Sequence, residues 1–319
     1  MLRNPVIDIA KGLCILLMIL GHCQGMEPIV YKAIESFHMP FFFIAAGFFF
    51  RPQSFISVAQ KSFKRLIVPM LIGVAVCVTI YLVLGQTNPA FSWIKALLFP
   101  GGTGRKIFFY PIWPCIGVFW FLAALFWSRI IYNWLYQEFP KNILLICALL
   151  SWFTIIVGRR FILPLGISEG LSGLVFYAVG HWANQRNLHS VSLKWYIVVL
   201  VLALWLVDIH IVGFHMFQLG YTWYLYPIGV AFACLMGQLI YKLSKYICFY
   251  KWSNGLRLCG LYSLEIMCCH QVARVITPYL TCTMRDLWVS IILIGLSLLI
   301  AAMYIGIKNY IIGIMDHNL

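Results

Sequence analysis

The chain has 319 residues, of which 63% are hydrophobic and 10% are charged, and its mean hydropathy is +0.91. Soluble domains carry about 25% charged residues, so this composition excludes a soluble fold and indicates an integral membrane protein. The formal net charge of +14 does not indicate nucleic-acid binding, because no basic block is interleaved with aromatic residues on a polar face. The basic residues fall largely between apolar runs, as the positive-inside rule describes.

Apolar runs recur along the whole chain and predict an all-α fold, a polytopic integral membrane bundle of about ten transmembrane helices. The predicted spans are residues 5–25, 37–50, 66–85, 113–134, 143–158, 169–183, 194–212, 222–243, 258–276 and 288–312. We expect a single transmembrane domain over residues 1–319 and no soluble domain. The loops on the side of the two ends hold more Lys and Arg, which predicts a multi-pass protein of the inner or plasma membrane with both termini in the cytoplasm.

The first span carries three ionisable residues on one face. Lys11 and His22 are eleven residues apart, so at about 100° per residue they project within about 20° of each other, and Asp8 precedes Lys11 by one turn. Ionisable groups inside a span are costly and mark a site or a pathway. A neutral His22 can act as a general base towards a hydroxyl. The alternative is a histidine that only hydrogen-bonds within the bundle, and the shared face favours catalysis.

The second run, residues 37–50, is short and contains Pro40 and Gly47, which favours a tilted, broken or partly re-entrant helix. His38 opens this run. Two interpretations of His38 stay open: it lines the same cavity as His22, or it caps a helix at the membrane interface.

The loop after the second span contains Lys61, Lys64 and Arg65 within about one helical turn. These residues either anchor the cytoplasmic end of the third span or bind the phosphates of a nucleotide-bearing donor. The longest outer loop, residues 86–112, contains Gly- and Pro-rich segments, and we expect it to cover a substrate cleft.

The ninth predicted span places Ser263, Glu265 and His270 in apolar surroundings. A carboxyl group there needs a partner or must stay protonated, so Glu265 either pairs with a cation, orients a histidine, or makes one polar contact that fixes helix packing. Trp120, in the fourth span, is the aromatic residue singled out as a supporting site residue. No His or Cys spacing indicates a metal site.

Five segments together resemble acyltransferase family 3, in the branch described as fucose 4-O-acetylase-like. In chain order they are IDIAKGLCILLMILGH, FHMPFFFIAAGFFF, KRLIVPML, WFLAALF and GLYSLEIMCCH. The first two are specific in combination and the others support them. The resemblance implies transfer of an acetyl group from cytosolic acetyl-CoA to a sugar hydroxyl at the outer face of the membrane.

Carried over by position, His22 would be the essential histidine, Lys11 its basic partner, and the cluster of Lys61, Lys64 and Arg65 the donor-phosphate region. Many members carry two arginines three residues apart, whereas Lys61 and Lys64 hold that spacing here. The implied partners are acyl-CoA as co-substrate, a glycan or lipid-linked sugar acceptor, and membrane lipids, with no nucleic acid and no permanently bound cofactor.

Two alternatives remain. A proton-coupled transporter or flippase of a polar or lipid-linked substrate would use Asp8, His22 and Glu265 as a proton relay. Against it, no internal repeat of the kind found in many transporters is visible. An acyltransferase with a non-sugar acceptor is the other alternative.

Overall fold

The computed structural model describes residues 4–23, 25–101, 105–107, 110–158, 161–187, 194–211, 225–281 and 286–317. These residues are predominantly helical, which confirms the all-α class, and they include one short antiparallel hairpin of β1 (Arg105–Ile107) and β2 (Tyr110–Trp113). The helices up to the middle of the chain are α1 (Pro5–Gly21), α2 (Pro28–Glu35), α3 (His38–Phe48), α4 (Phe55–Ser62), α5 (Val68–Val83), α6 (Thr87–Ala96) and α7 (Trp120–Glu138). The remaining helices are α8 (Ile143–Val157), α9 (Ile167–Gln185), α10 (Trp195–Ile211), α11 (Tyr226–Ile247), α12 (Ser253–Leu261), α13 (Ser263–Leu280) and α14 (Asp286–His317).

Five helical stretches in the described part of the chain are long and apolar enough to cross a membrane. They are Pro28–Phe48, Phe55–Val83, Gly117–Glu138, Tyr226–Ile247 and Trp288–Tyr310. Two shorter apolar helices are Ile143–Val157 and Trp195–His210. A helix lies at each predicted span, but this criterion gives five spans in the described residues, so the predicted number of about ten is not confirmed.

Several predicted spans are interrupted helices. The second begins earlier than expected and consists of α2 and α3, which meet at Ser36 and Phe37. The third continues α4 through a π-helical turn, Phe63–Ile67, into α5. The ninth is divided between α12 and α13 at Tyr262. A π-turn inserts one residue into a helix and changes which side chains share a face, which matters for the basic residues on it.

Helix α1 packs closely against α12 through a pair of glycines. A Cβ atom on Gly12 would collide with the Leu256 carbonyl oxygen, and a Cβ on Gly260 would collide with the Asp8 carbonyl oxygen. Small residues allow helix backbones to approach in this way within a membrane protein. This close contact fixes the orientation of α1, and with it the direction of the face that carries the predicted site residues.

Side-chain hydroxyls join the helices around α9. Ser128 Oγ of α7 donates to the Gly170 carbonyl at 2.6 Å, and the Tyr226 hydroxyl of α11 donates to the Ser172 carbonyl at 2.8 Å. Lipid offers no hydrogen-bond partner, so polar groups inside the bundle must be satisfied by the protein. These bonds hold α7 and α11 against α9, and α7 supplies one wall of the site described below.

Candidate functional site

Two cavities lie one after the other along α1. The first, here called the Lys11 cavity, has a volume of about 360 Å³ and is lined by Lys11 and Ile15 of α1. The second, the His22 cavity, has a volume of about 240 Å³ and is lined by Met18 and His22. Met267 of α13 borders both cavities. The predicted polar face of α1 therefore connects two adjoining spaces, and Lys11 and His22 are separated by about 16 Å along the helix.

The Lys11 cavity is rich in positive charge. Four of its lining side chains are cationic, and none of those in the described part of the chain is acidic. These cations are Lys11, Arg51, Arg65 and Arg129. Arg51 and Arg65 are exposed, whereas Lys11 and Arg129 are partly buried. Such a concentration of one charge sign attracts a polyanion into a cleft, and guanidinium groups match phosphate oxygens well.

The three residues of the basic cluster after the second span lie in different places. Arg65 lines the Lys11 cavity, but the exposed Lys61 and Lys64 line neither cavity. Lys61 Nζ instead donates to Gln53 Oε1 at 2.7 Å. Of the three residues predicted to form one donor site, only Arg65 lines a cavity, and donor binding by this cluster stays a prediction.

The loop that carries Arg51 is fixed by α7. The Gln53 N–H donates to Asn133 Oδ1 at 3.0 Å, and Asn133 Nδ2 donates to the Gln53 carbonyl at 2.9 Å. On the same helix, the Arg129 guanidinium acts electrostatically on the hydroxyl of the buried Tyr177. The cationic wall is thus built on a rigid element.

Asp8 is buried and lines neither cavity. Its Oδ1 lies 3.1 Å from Lys11 Nζ, one helical turn away. The contact orients the Lys11 ammonium at the cavity wall. Asp8 therefore acts on Lys11, and the described geometry does not place it beside His22.

His22 closes the last turn of α1 at the wall of the second cavity. Its Nδ1 lies 2.7 Å from the Met18 carbonyl oxygen. A carbonyl can only accept, so Nδ1 carries the hydrogen and, in the neutral ring, Nε2 carries the lone pair. This tautomer leaves Nε2 as the nitrogen that can accept a proton from a substrate.

His270 of α13 packs beside His22, with ring centroids 5.3 Å apart. Its Nδ1 lies 3.0 Å from Ser297 Oγ, and that hydroxyl donates to the Leu293 carbonyl at 2.5 Å. The Ser297 oxygen therefore accepts from His270 Nδ1–H. His270 Nε2 is fully buried and has no hydrogen-bond partner among the described residues. The structure thus brings together two predicted site residues, His22 and His270, from different helices.

Glu35 and His38 also line the His22 cavity. His38 Nε2 lies 3.8 Å from Glu35 Oε1, and His38 Nδ1 lies 2.8 Å from the Ile34 carbonyl oxygen. Of the two interpretations of His38, the structure supports the first, because its buried side chain lines the same cavity as His22.

The turn before α7 closes this cavity. Gly117, Val118 and Trp120 line it, and the Val118 N–H donates to Gln271 Oε1 at 2.9 Å. Residues 86–101 of the loop expected to cover the cleft line neither cavity, and the side chains of residues 102–112 lie outside the described part.

Two further predicted residues have different places. Ser263 lines the Lys11 cavity. Glu265 lines neither cavity and accepts a hydrogen bond from Lys308 Nζ of α14 at 2.7 Å. The carboxylate thus has the cation partner that its apolar surroundings require, which is the first of the three interpretations of Glu265.

Sequence reasoning missed four charged residues that line the cavities: Arg51, Glu35, Arg129 and Arg274. The arginines were assigned to loops or to topology. One signal was present for Glu35, since an acidic residue three positions before His38 in an apolar context indicates a buried pair. Among the described residues, no group of three or more His, Cys, Asp or Glu side chains could hold a metal ion.

Comparison with known families identifies the chain. The family model for the acyltransferase domain of this class matches residues 4–307. The chain belongs to acyltransferase family 3. Searches of curated proteins and of solved structures gave no significant match. Family membership and the apolar helices together indicate a membrane acyltransferase.

Proposed function

We propose that this acyltransferase family 3 protein moves an acetyl group from cytosolic acetyl-CoA to a hydroxyl of a cell-envelope or exported sugar. The observation that supports the proposal most directly is the pair of adjoining cavities, one cationic and one containing His22, with Met267 between them. The cationic cavity suits the phosphates of coenzyme A, and the pantetheine arm would pass Met267 to present the thioester to His22. The sugar acceptor follows from the resemblance to the fucose 4-O-acetylase-like branch.

In the proposed reaction His22 Nε2 takes the proton of the acceptor hydroxyl as general base. The hydroxyl oxygen forms a bond to the thioester carbonyl carbon, the carbon–sulfur bond breaks, and the coenzyme A sulfur receives the proton from His22. Glu35 and His38, which line the same cavity, would bind other hydroxyls of the acceptor. His270 would hold the His22 ring in place from the side.

The charge placement supports an orientation. The Lys11 end of α1 faces the cytoplasm, where the donor is made, and both termini lie on that side of the inner or plasma membrane. The acceptor then enters the His22 cavity from the other side. The protein needs no permanently bound cofactor in this scheme.

The test uses cells with the native gene, a deletion, and His22→Ala. His210→Ala is the matched control, because His210 Nδ1 makes the same type of contact, 2.9 Å to the carbonyl oxygen four residues earlier, but its side chain is exposed on α10 and lines neither cavity. We expect ester-linked acetate on surface glycans to disappear in the deletion and in His22→Ala, and to remain in His210→Ala.

Purified protein completes the test. His22→Ala should still bind coenzyme A, measured by titration calorimetry, and its acetyl transfer should fall by about a hundredfold or more. Full transfer by that variant would exclude His22 as the base. Absence of coenzyme A binding by the native protein would overturn the donor assignment and favour a transporter.

A further inference from the structure

Arg274 is a cation in the His22 cavity that the proposed reaction does not use. It lies on α13, one helical turn after His270, and lines the cavity together with Tyr31 and Glu35. It is partly buried. The groups that act electrostatically on its guanidinium include Tyr31 and Glu35.

The guanidinium has no ion partner within the described protein. The ion pairs among the described residues are Lys11–Asp8, His38–Glu35 and Lys308–Glu265, and none includes Arg274. Glu35 shares the cavity but lies within 4.0 Å of His38 and not of Arg274. A guanidinium presents five N–H donors in a planar fork that fits a carboxylate or phosphate. A partly buried, unpaired cation in a substrate cavity therefore favours an anionic ligand.

The position of Arg274 on α13 indicates that this anionic ligand is a part of the acceptor molecule. Ser263 lines the Lys11 cavity, Met267 borders both cavities, and Arg274 lines only the His22 cavity. The donor's phosphates already have the four cations of the Lys11 cavity. The acetyl group that the donor would bring past Met267 is uncharged. An anion at Arg274 must then belong to the molecule that fills the His22 cavity from the other end.

We propose that the acceptor is an anionic sugar, whose carboxylate or phosphate binds the Arg274 guanidinium while its hydroxyl lies at His22 Nε2; this rests on the proposed function. The cavity of about 240 Å³ is below the usual range of about 300–1,000 Å³ for ligand pockets. It accommodates one sugar residue, not a chain. Arg274 is thus the specificity-determining residue that fixes which sugar, and which of its hydroxyls, reaches the base.

The experiment compares three acceptor probes on the purified full chain in lipid nanodiscs with acetyl-CoA. Methyl glucuronide carries a carboxylate, a methyl glucoside phosphate ester carries a phosphate, and methyl glucoside is neutral. Probe binding is measured by titration calorimetry, and kcat and KM by transfer of radiolabelled acetyl. We expect at least one anionic probe to bind about tenfold or more tightly than the neutral probe, which corresponds to about 1.4 kcal/mol. The two anionic arms distinguish the carboxylate from the phosphate.

The variants assign the preference to Arg274. Arg274→Gln should remove the preference by raising the dissociation constant and KM for the anionic probe, with the affinity for acetyl-CoA unchanged. Arg274→Lys keeps the positive charge but lacks the planar guanidinium group, so it should retain part of the preference for the anionic probe. Arg257→Gln is the matched control, because Arg257 is exposed on α12 and lines neither cavity.

Four results would overturn the proposal. Three concern binding: equal binding of charged and neutral probes by the native protein, no binding of either anionic probe, and a preference retained in Arg274→Gln. A fall in kcat with unchanged KM would also overturn it, because it would place the guanidinium on the thioester oxygen. The donor assignment is tested separately, by measuring whether the native protein binds coenzyme A.

Discussion

Asn133 and Gln53 exchange two hydrogen bonds, from the Gln53 N–H to Asn133 Oδ1 at 3.0 Å and from Asn133 Nδ2 to the Gln53 carbonyl at 2.9 Å. Asn133 is buried in α7, whereas Gln53 belongs to the loop that follows α3. The pair attaches a loop to a rigid helix, and that loop carries Arg51 to the Lys11 cavity.

Asn133→Ala should therefore weaken both stability and donor binding. Loss of the amide leaves the Gln53 N–H without its partner, whereas the Gln53 carbonyl still accepts from Gln137 Nε2 at 2.7 Å. An unsatisfied buried polar group costs about 1–3 kcal/mol. Thermal unfolding in detergent measures the first effect, and calorimetric titration with coenzyme A the second. Asn184→Ala, at an exposed position of α9, should change neither. Normal coenzyme A affinity in a destabilised Asn133→Ala protein would show that Arg51 does not depend on this attachment.

The π-helical turn provides a comparison of two adjacent cations. Arg65→Gln should weaken coenzyme A binding by roughly tenfold to a hundredfold, because a hydrogen bond to a charged group contributes about 1.5–3 kcal/mol. Lys64→Gln, one residue earlier and exposed outside the cavity, should leave the affinity unchanged. The dissociation constants of the two variants for coenzyme A, measured at the same salt concentration, show whether Arg65 contributes to binding and Lys64 does not. Equal losses of coenzyme A affinity in the two variants would show that Lys64 and Arg65 act only through their general positive charge.

The sequence predicted the polar face of α1 correctly because helical periodicity determines which residues of one helix are neighbours. Lys11 and His22 needed no other information. Residues that approach from other helices are not related by any period. Arg129 and Arg274 therefore resembled ordinary basic residues near span ends, although one lines each cavity.

Glu35 was missed for a different reason. The second span was expected to begin at residue 37, so Glu35 was assigned to a loop, but Pro28 starts a preceding helix that continues the span. Lys61 and Lys64 were assigned to the site because they lie within about one helical turn of Arg65. Lys64 and Arg65 belong to a π-helical turn, Phe63–Ile67, around which side chains do not follow the regular period of an α-helix.

Glu265 and Lys308 join α13 to α14 at 2.7 Å. Glu265→Gln should retain coenzyme A affinity and kcat, since neither side chain lines a cavity. The expected loss of stability is small, about 0–1 kcal/mol, because the Lys308 side chain is 42% exposed and solvent screens the pair. Steady-state kinetics alongside thermal unfolding checks both statements. A large fall in kcat would restore Glu265 to the catalytic site.

Position 117, in the wall of the His22 cavity, requires a glycine for two separate reasons. Its φ angle is +56°, which side-chain-bearing residues rarely adopt, and a Cβ atom would collide with the Gln271 amide. That amide accepts the Val118 N–H, so Gly117→Ala adds backbone strain and also displaces a buried hydrogen-bond partner. We expect a loss of about 1–2 kcal/mol from strain and about 1–3 kcal/mol more from the broken hydrogen bond.

Gly85→Ala separates the two effects. Gly85 has a φ of +71°, yet a Cβ atom there meets nothing within 4 Å, so that variant should show the strain alone and keep its acceptor kinetics. Gly117→Ala should in addition raise KM for the acceptor, because the turn that carries Val118 and Trp120 closes the His22 cavity. Thermal unfolding and acetyl-transfer kinetics on both variants are the measurements. If the two substitutions destabilise equally and both leave KM unchanged, the Gln271 contact neither stabilises the turn nor shapes the cavity.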